Sequence, residues 1–224
     1  MKPSLRAASS EDSPRIAQLL TSTRAEFMPY APSAHSDDDV RLWVASVLVP
    51  GGGVIVAEVD GQVVGVTATA RSGDHSWINQ MAVEPRLVGN LIGSTLLAWA
   101  MKELPRPIRL YTFQANVGAR RFYERHGFAA VEFTDGQDNE ELCPDVLYEL
   151  ATPQTEASPF GRGVAQRQAT RPGLVVHGTF SPARAWRPAV VARLARTLGS
   201  TKTTVRYSSR KCACRRELNS HEAA

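Results

Sequence analysis

Thr112-Phe113-Gln114-Ala115-Asn116-Val117-Gly118-Ala119-Arg120-Arg121-Phe122-Tyr123-Glu124-Arg125-His126-Gly127-Phe128 is the stretch on which the fold turns. Its β-rich beginning closes a strand read from about 108 to 113, and Asn116 stands where a helix needs an acceptor for its orphan amides. A helix over 117–126 ends at Gly127, and a strand over 128–133 follows. Upstream, Ile78-Asn79-Gln80-Met81-Ala82-Val83 reads as strand, part of a run over about 76–84 that Pro85 stops. An apolar helix over about 92–103 follows, opening with Gly93-Ser94-Thr95-Leu96-Leu97. Between them lies Val88-Gly89-Asn90-Leu91-Ile92-Gly93. A strand that feeds a helix through a short glycine loop aims unpaired backbone amides at whatever sits above the helix N-terminus, and phosphate is the natural guest. Without an acid about 20 positions on, the loop is not a dinucleotide fingerprint.

The remaining elements extend this order in both directions. Leu5 to Ala8 makes a short first strand, and Ser9-Ser10-Glu11-Asp12-Ser13-Pro14 supplies helix-start chemistry ahead of the apolar face Ile16, Leu19, Leu20. Ser36-Asp37-Asp38-Asp39 is a second acidic cap, before Val40, Leu42, Trp43, Val44 and Val47, and Pro50-Gly51-Gly52-Gly53 ends that helix. The runs 54–59 and 62–68 meet across Asp60-Gly61, a strong short hairpin signal, so they form an antiparallel pair. A last strand covers 145–150. Hairpins and crossovers together give a mixed α/β fold.

The helix-start Asn116, Ala119 three residues on, the pair Phe122-Tyr123 and the exit Gly127-Phe128, about 25 residues after a V-x-P-x-x-x-G-x-x-x-G loop, resemble the paired motifs of the GNAT N-acetyltransferase family. The resemblance spans roughly residues 4–150. It implies a central mixed sheet splayed open for acetyl-CoA as co-substrate, flanked by helices. It further implies that backbone groups of Met81, Ala82 and Val83 meet the pantetheine and acetyl carbonyl. The pyrophosphate would lie on the loop Val88, Gly89, Asn90, Leu91, Ile92, Gly93 and Ser94, with Asn116 beside the pantetheine arm. Tyr123 matches the tyrosine that protonates the departing thiolate, a role a phenol of pKa about 10 can fill at neutral pH. Asn116 can also serve simply as a helix cap, and Tyr123 as a core tyrosine. Two positions depart from the family loop: Val88 replaces its leading Gln or Arg, and Leu91 its middle glycine.

Acetyl transfer to an amine also needs a proton acceptor. Asp74, His75 and Glu84 flank the central strand and Gln80 can position a water; none stands out as the base. Asp135, Asp138, Glu140 and Glu141 form an acidic loop able to attract a cationic amine, or simply a solvated surface. The expected activity is acetyl transfer from acetyl-CoA to a primary amine of a small molecule or a protein, and the alternative is a catalytically degenerate acyl-CoA-binding or interaction module. A homodimer is compatible with the family.

The chain has 224 residues and a net charge of +4, and that total conceals two halves. Residues 1–150 carry 13 Lys+Arg against 19 Asp+Glu, whereas 151–224 carry 13 against 3. The first part is expected to be the enzymatic domain and the second a low-complexity, disordered tail with one basic amphipathic helix near 183–198. The tail's arginines are scattered without aromatic interleaving apart from Trp186, so nucleic-acid binding is not expected. Cys143, Cys212 and Cys214 are too few for a disulfide framework, and Cys212-x-Cys214 lacks the second pair a zinc site needs, so no metal is expected. No run approaches the roughly 20 apolar residues of a membrane span, and the N-terminus has no signal-peptide core, so a cytoplasmic protein is expected.

Overall fold

The structure, a computed structural model, describes residues 3–153; the expected tail helix near 183–198 and Cys212 and Cys214 lie outside the described residues. Among the described residues, seven strands form one sheet in the order β1-β2-β3-β4-β5-β7-β6: β1 (Ser4–Ala7), β2 (Val54–Val59), β3 (Gln62–Ser72), β4 (His75–Val83), β5 (Ile108–Phe113), β6 (Ala129–Phe133) and β7 (Asp145–Leu150). The helices are α1 (Ser13–Phe27), α2 (Asp37–Trp43), α3 (Ile92–Glu103) and α4 (Val117–Arg125). This is the mixed α/β order read from the sequence. Asp60 and Gly61 both take positive φ, 50° and 74°, as the tight hairpin turn between β2 and β3 requires. β3 runs four residues past the expected 68, because Gly73 at φ 59° folds it back onto β4. The helix from the acidic cap widens after Trp43 into a π-turn over Val44–Leu48, where the Val49 amide donates to the Val44 carbonyl five residues back at 3.0 Å. Its start is held reciprocally: the Asp39 amide donates to Ser36 Oγ at 3.2 Å, and the Ser36 amide to Asp39 Oδ2 at 3.2 Å.

The strands are two-sided, so the sheet is covered on both faces. Val54, Val56 and Val66 pack with Ile16, Leu19, Trp43 and Val44 under α1 and α2. Ala57 and Val64 meet Ile92 and Leu96 of α3 on the other face. Farther along the sheet, Leu97 and Ala100 of α3 and Tyr123 of α4 join Ile108, Leu110, Val146 and Tyr148. α4 is also tied to β7 by polar bonds: Tyr148 Oη donates to Glu124 Oε1 at 2.5 Å, and Arg120 Nε donates to Tyr148 Oη at 3.3 Å. No helix among the described residues is long and apolar enough to cross a membrane.

Candidate functional site

One joint of the sheet is made differently from the rest. All neighbouring strands are antiparallel except β4 and β5, which are parallel and pair only at Ser76 with Ile108 and Trp77 with Arg109. From Ile78 and Leu110 onward the two strands separate, leaving β4 without a strand partner on its β5 side among the described residues. A register shift in the β3–β4 ladder falls at the same place: Thr69 opposes Ile78 and Ala68 opposes Gln80, so Asn79 is the extra residue of a bulge. A bulge bends its strand and increases the local twist, which helps to open the splay. The cleft that results holds about 850 Å³, a size usual for small-molecule sites.

Met81, Ala82, Val83, Val88, Gly89, Leu91, Gly93, Ser94, Asn116 and Tyr123 all line this cleft, so the two sequence motifs meet at one place. Asn90 and Ile92 do not line it. The Asn90 amide and its Nδ2 both donate to the Leu87 carbonyl at 3.2 Å, and the Ile92 side chain is buried beside Leu96. The start of α3 has no side-chain cap among the described residues. The first bond of its ladder is Thr95 N–H to the Leu91 carbonyl, 2.9 Å. The amides of Gly89, Leu91, Ile92, Gly93 and Ser94 therefore have no acceptor among the described residues. Two backbone conformations build the loop: Gly89 sits at φ 92° and Leu91 at φ 64°. The left-handed geometry usual for glycine is thus taken here by a leucine whose side chain is 71% exposed.

Asn116 caps α4, its Oδ1 accepting from the Ala119 amide at 3.0 Å, and its Nδ2 has no acceptor among the described residues. Tyr123 is 9% exposed and packs edge-on against Phe122 and Phe128. Its hydroxyl has no hydrogen-bond partner among the described residues, and burial pushes its pKa up to about 12. A phenol in that state is a proton donor across the whole physiological range.

Residues 20–128 match the model of the acetyltransferase (GNAT) family. The chain carries a GNAT-family domain. No curated protein matches it. Solved structures share the fold: apo-form YjaB of Escherichia coli, 19% identical, covers 66% of this chain and 97% of its own with a TM-score of 0.55. The PaiA N-acetyltransferase of Thermoplasma acidophilum, in complex with coenzyme A, is 20% identical over 68% of this chain and 100% of its own, TM-score 0.52. The ribosomal-protein-alanine N-acetyltransferase of Brucella melitensis is 19% identical over 66% and 99%, TM-score 0.53. GNAT enzymes use acetyl-CoA as co-substrate, and the groups in this cleft suit it. Uncapped amides at a helix N-terminus match a pyrophosphate's need for donors, and the unpaired edge of β4 matches the amide-bearing pantetheine arm.

The GNAT domain's other ionisable groups separate into two sets. Glu84 is held by Arg15 Nη2 at 2.5 Å, with Arg86 Nε at 3.6 Å, and is not on the cleft. His75 lies across from Ser72 in the β3–β4 hairpin, at the end of β4 away from the splay. Trp77 stacks on Tyr111 at 5.9 Å, likewise outside the cleft. Of the acidic loop, Glu140 and Glu141 reach the cleft, while Asp135 and Asp138 do not. Sequence reasoning missed His35, whose Nε2 lies 2.7 Å from Glu140 Oε2. The two residues are 105 positions apart, and no local pattern announces such a pair.

Proposed function

We propose that this protein is an N-acetyltransferase that moves the acetyl group of acetyl-CoA to a primary amine of a small molecule or protein. The observation that carries the reading is the meeting, in one cleft, of the uncapped start of α3 with Tyr123. Acetyl-CoA, when bound, supplies an activated thioester acetyl group that a neutral amine can attack. The amides of Gly89, Leu91, Gly93 and Ser94 hold the pyrophosphate and fix the register of the arm along β4. Backbone groups of Met81, Ala82 and Val83 face the acetyl end, where an N–H would steady charge building on the carbonyl oxygen. Asn116 offers its Nδ2 to the arm while its Oδ1 keeps α4 capped. Tyr123 gives its hydroxyl proton to the leaving sulfur, because burial holds that proton in place until a strong anionic acceptor develops beside it.

Thiol release from acetyl-CoA over a panel of amines tests the proposal. Tyr123→Phe should bind acetyl-CoA as wild type does and lose turnover by roughly 10²-fold or more, the usual scale for a general acid. The alternative, a non-catalytic acyl-CoA-binding module, is motivated by Val88 and Leu91 in the loop. Binding without turnover on any amine would favour it.

A further inference from the structure

Part of the cleft is lined by two loops that the chain has to bring together. The α1–α2 connection contributes His35 and the β6–β7 connection contributes Glu140 and Glu141. Asn139, 6% exposed, organises the second loop: its Nδ2 donates to the Cys143 carbonyl at 2.7 Å and to Asp145 Oδ2 at 3.0 Å, and its Oδ1 accepts from the Cys143 amide at 3.1 Å. Arg24 joins the loops from α1, donating through Nη2 to the Pro32 carbonyl at 2.8 Å and through Nη1 to Glu141 Oε1 at 3.2 Å. Glu141 is thereby ion-paired. Glu140 is held on one oxygen only, Oε2, by the His35 Nε2–H. Its Oε1 has no hydrogen bond among the described residues, and the carboxyl is mostly buried.

Resting on the acetyl-transfer reading above, we propose that Glu140 is the proton acceptor for the incoming amine, with His35 the positioning residue that orients its carboxylate. The acceptor arrives as an ammonium ion, which the carboxylate attracts. One N–H proton passes to Oε1, leaving a neutral amine and a carboxylic acid. The amine nitrogen then forms the new bond to the acetyl carbon while the carbon–sulfur bond breaks, and the sulfur takes the Tyr123 proton. The acylated nitrogen gives its second proton to solvent, Glu140 releases its own likewise, and the Tyr123 phenolate takes one back, so each turnover releases one proton overall. The substrate class is accordingly an aliphatic amine, cationic in solution. Burial and the neighbouring Glu141 raise the Glu140 pKa, and the His35 bond opposes that rise, so the carboxyl is a stronger base than an ordinary glutamate. The other charged groups on the cleft are Arg24 from α1, Asp37 at the start of α2, Arg125 of α4 and Asp145 of β7; Arg24 is engaged by Glu141 and Asp145 by Thr134 and Asn139.

The test is the pH dependence of kcat/KM for the full chain with acetyl-CoA and three probes: n-butylamine, spermidine and a peptide with a free N-terminal alanine. For at least one probe Glu140→Gln should lose about 10²- to 10⁴-fold and its acid limb should disappear. Gln can still accept from His35, so the melting temperature and acetyl-CoA binding should hold. His35→Gln should lose less and move the acid limb to higher pH, since the bond that holds the Glu140 pKa down is weakened. A merely structural role would lower rates equally at all pH values in both variants and overturn the proposal. Undiminished turnover in Glu140→Gln would overturn it alone, whereas a wild-type chain that acetylates none of the probes would overturn the acetyl-transfer reading and this proposal with it.

Discussion

Replacing Leu91 with glycine should stabilise the protein, although the change removes a leucine side chain. Leu91 is held at φ 64° and ψ 0°, where a β-carbon crowds the backbone at a cost of roughly 1–2 kcal/mol. Glycine removes that cost and adds unfolded-chain entropy worth about 0.5–1 kcal/mol against folding. The side chain is 71% exposed, so little apolar burial is lost. The balance is a gain of about 0.5–1 kcal/mol, which raises the Tm of a chain this size by about 1–4 °C. Leu91→Ala is the control, because alanine loses the same side chain but keeps the crowded β-carbon. Thermal unfolding of the three proteins should therefore place Leu91→Gly above wild type and Leu91→Ala at or below it. The amide donors stay in place, so Leu91→Gly should hold or raise the affinity for acetyl-CoA. A glycine variant that melts no higher than the alanine variant would refute the assignment of strain to this position.

Asn116 should separate folding from binding. Asn116→Ala loses the cap on α4 and about 1 kcal/mol of stability, Asn116→Asp keeps the cap, and both lose the Nδ2 donor and weaken acetyl-CoA binding in calorimetry. Tyr123, with its pKa near 12 rather than about 10, should leave no alkaline fall in kcat assignable to it before about pH 11. Its raised folded-state pKa also means that its share of stability is complete below about pH 10 and lost as pH rises toward 12, visible in urea midpoints. At the acid end, the Arg6 guanidinium, bonded at 2.7 and 2.8 Å, holds the Asp12 carboxyl well below the usual carboxylate range. That contribution is present above the unfolded value near 3.9 and lost as pH falls below it, so Asp12→Asn should flatten the acid side of the stability curve.

The fold was legible wherever a turn residue has a local reason to be there. Asp60-Gly61, Pro85, Asn116 and Gly127 each mark a boundary through backbone chemistry that acts within a few residues, and the elements between them fall where expected. Boundaries set by tertiary pairing were not legible: nothing after Ala68 says that β3 continues, because its last residues are strand only through β4. The site divides in the same way. The loop and Tyr123 could be found because each lies in a short motif. The bulge at Asn79, the splay of β4 from β5 and the pairing of His35 with Glu140 could not, since they depend on which distant segments are brought together. For that reason His75 and Glu84, close in sequence to the central strand, looked like base candidates and prove to lie off the cleft.

Calorimetric titration of acetyl-CoA into the full chain and into Ser94→Asp decides whether the start of α3 seats the pyrophosphate. Ser94 is the third residue of α3, where an added carboxylate favours the helix by roughly 0.3–1 kcal/mol but opposes any anion seated on its first amides. Wild type should show one binding site, and Ser94→Asp an affinity weaker by at least about tenfold, or 1.4 kcal/mol, with a melting temperature equal or higher. Equal affinity in the two proteins, or no binding heat in wild type, would contradict it.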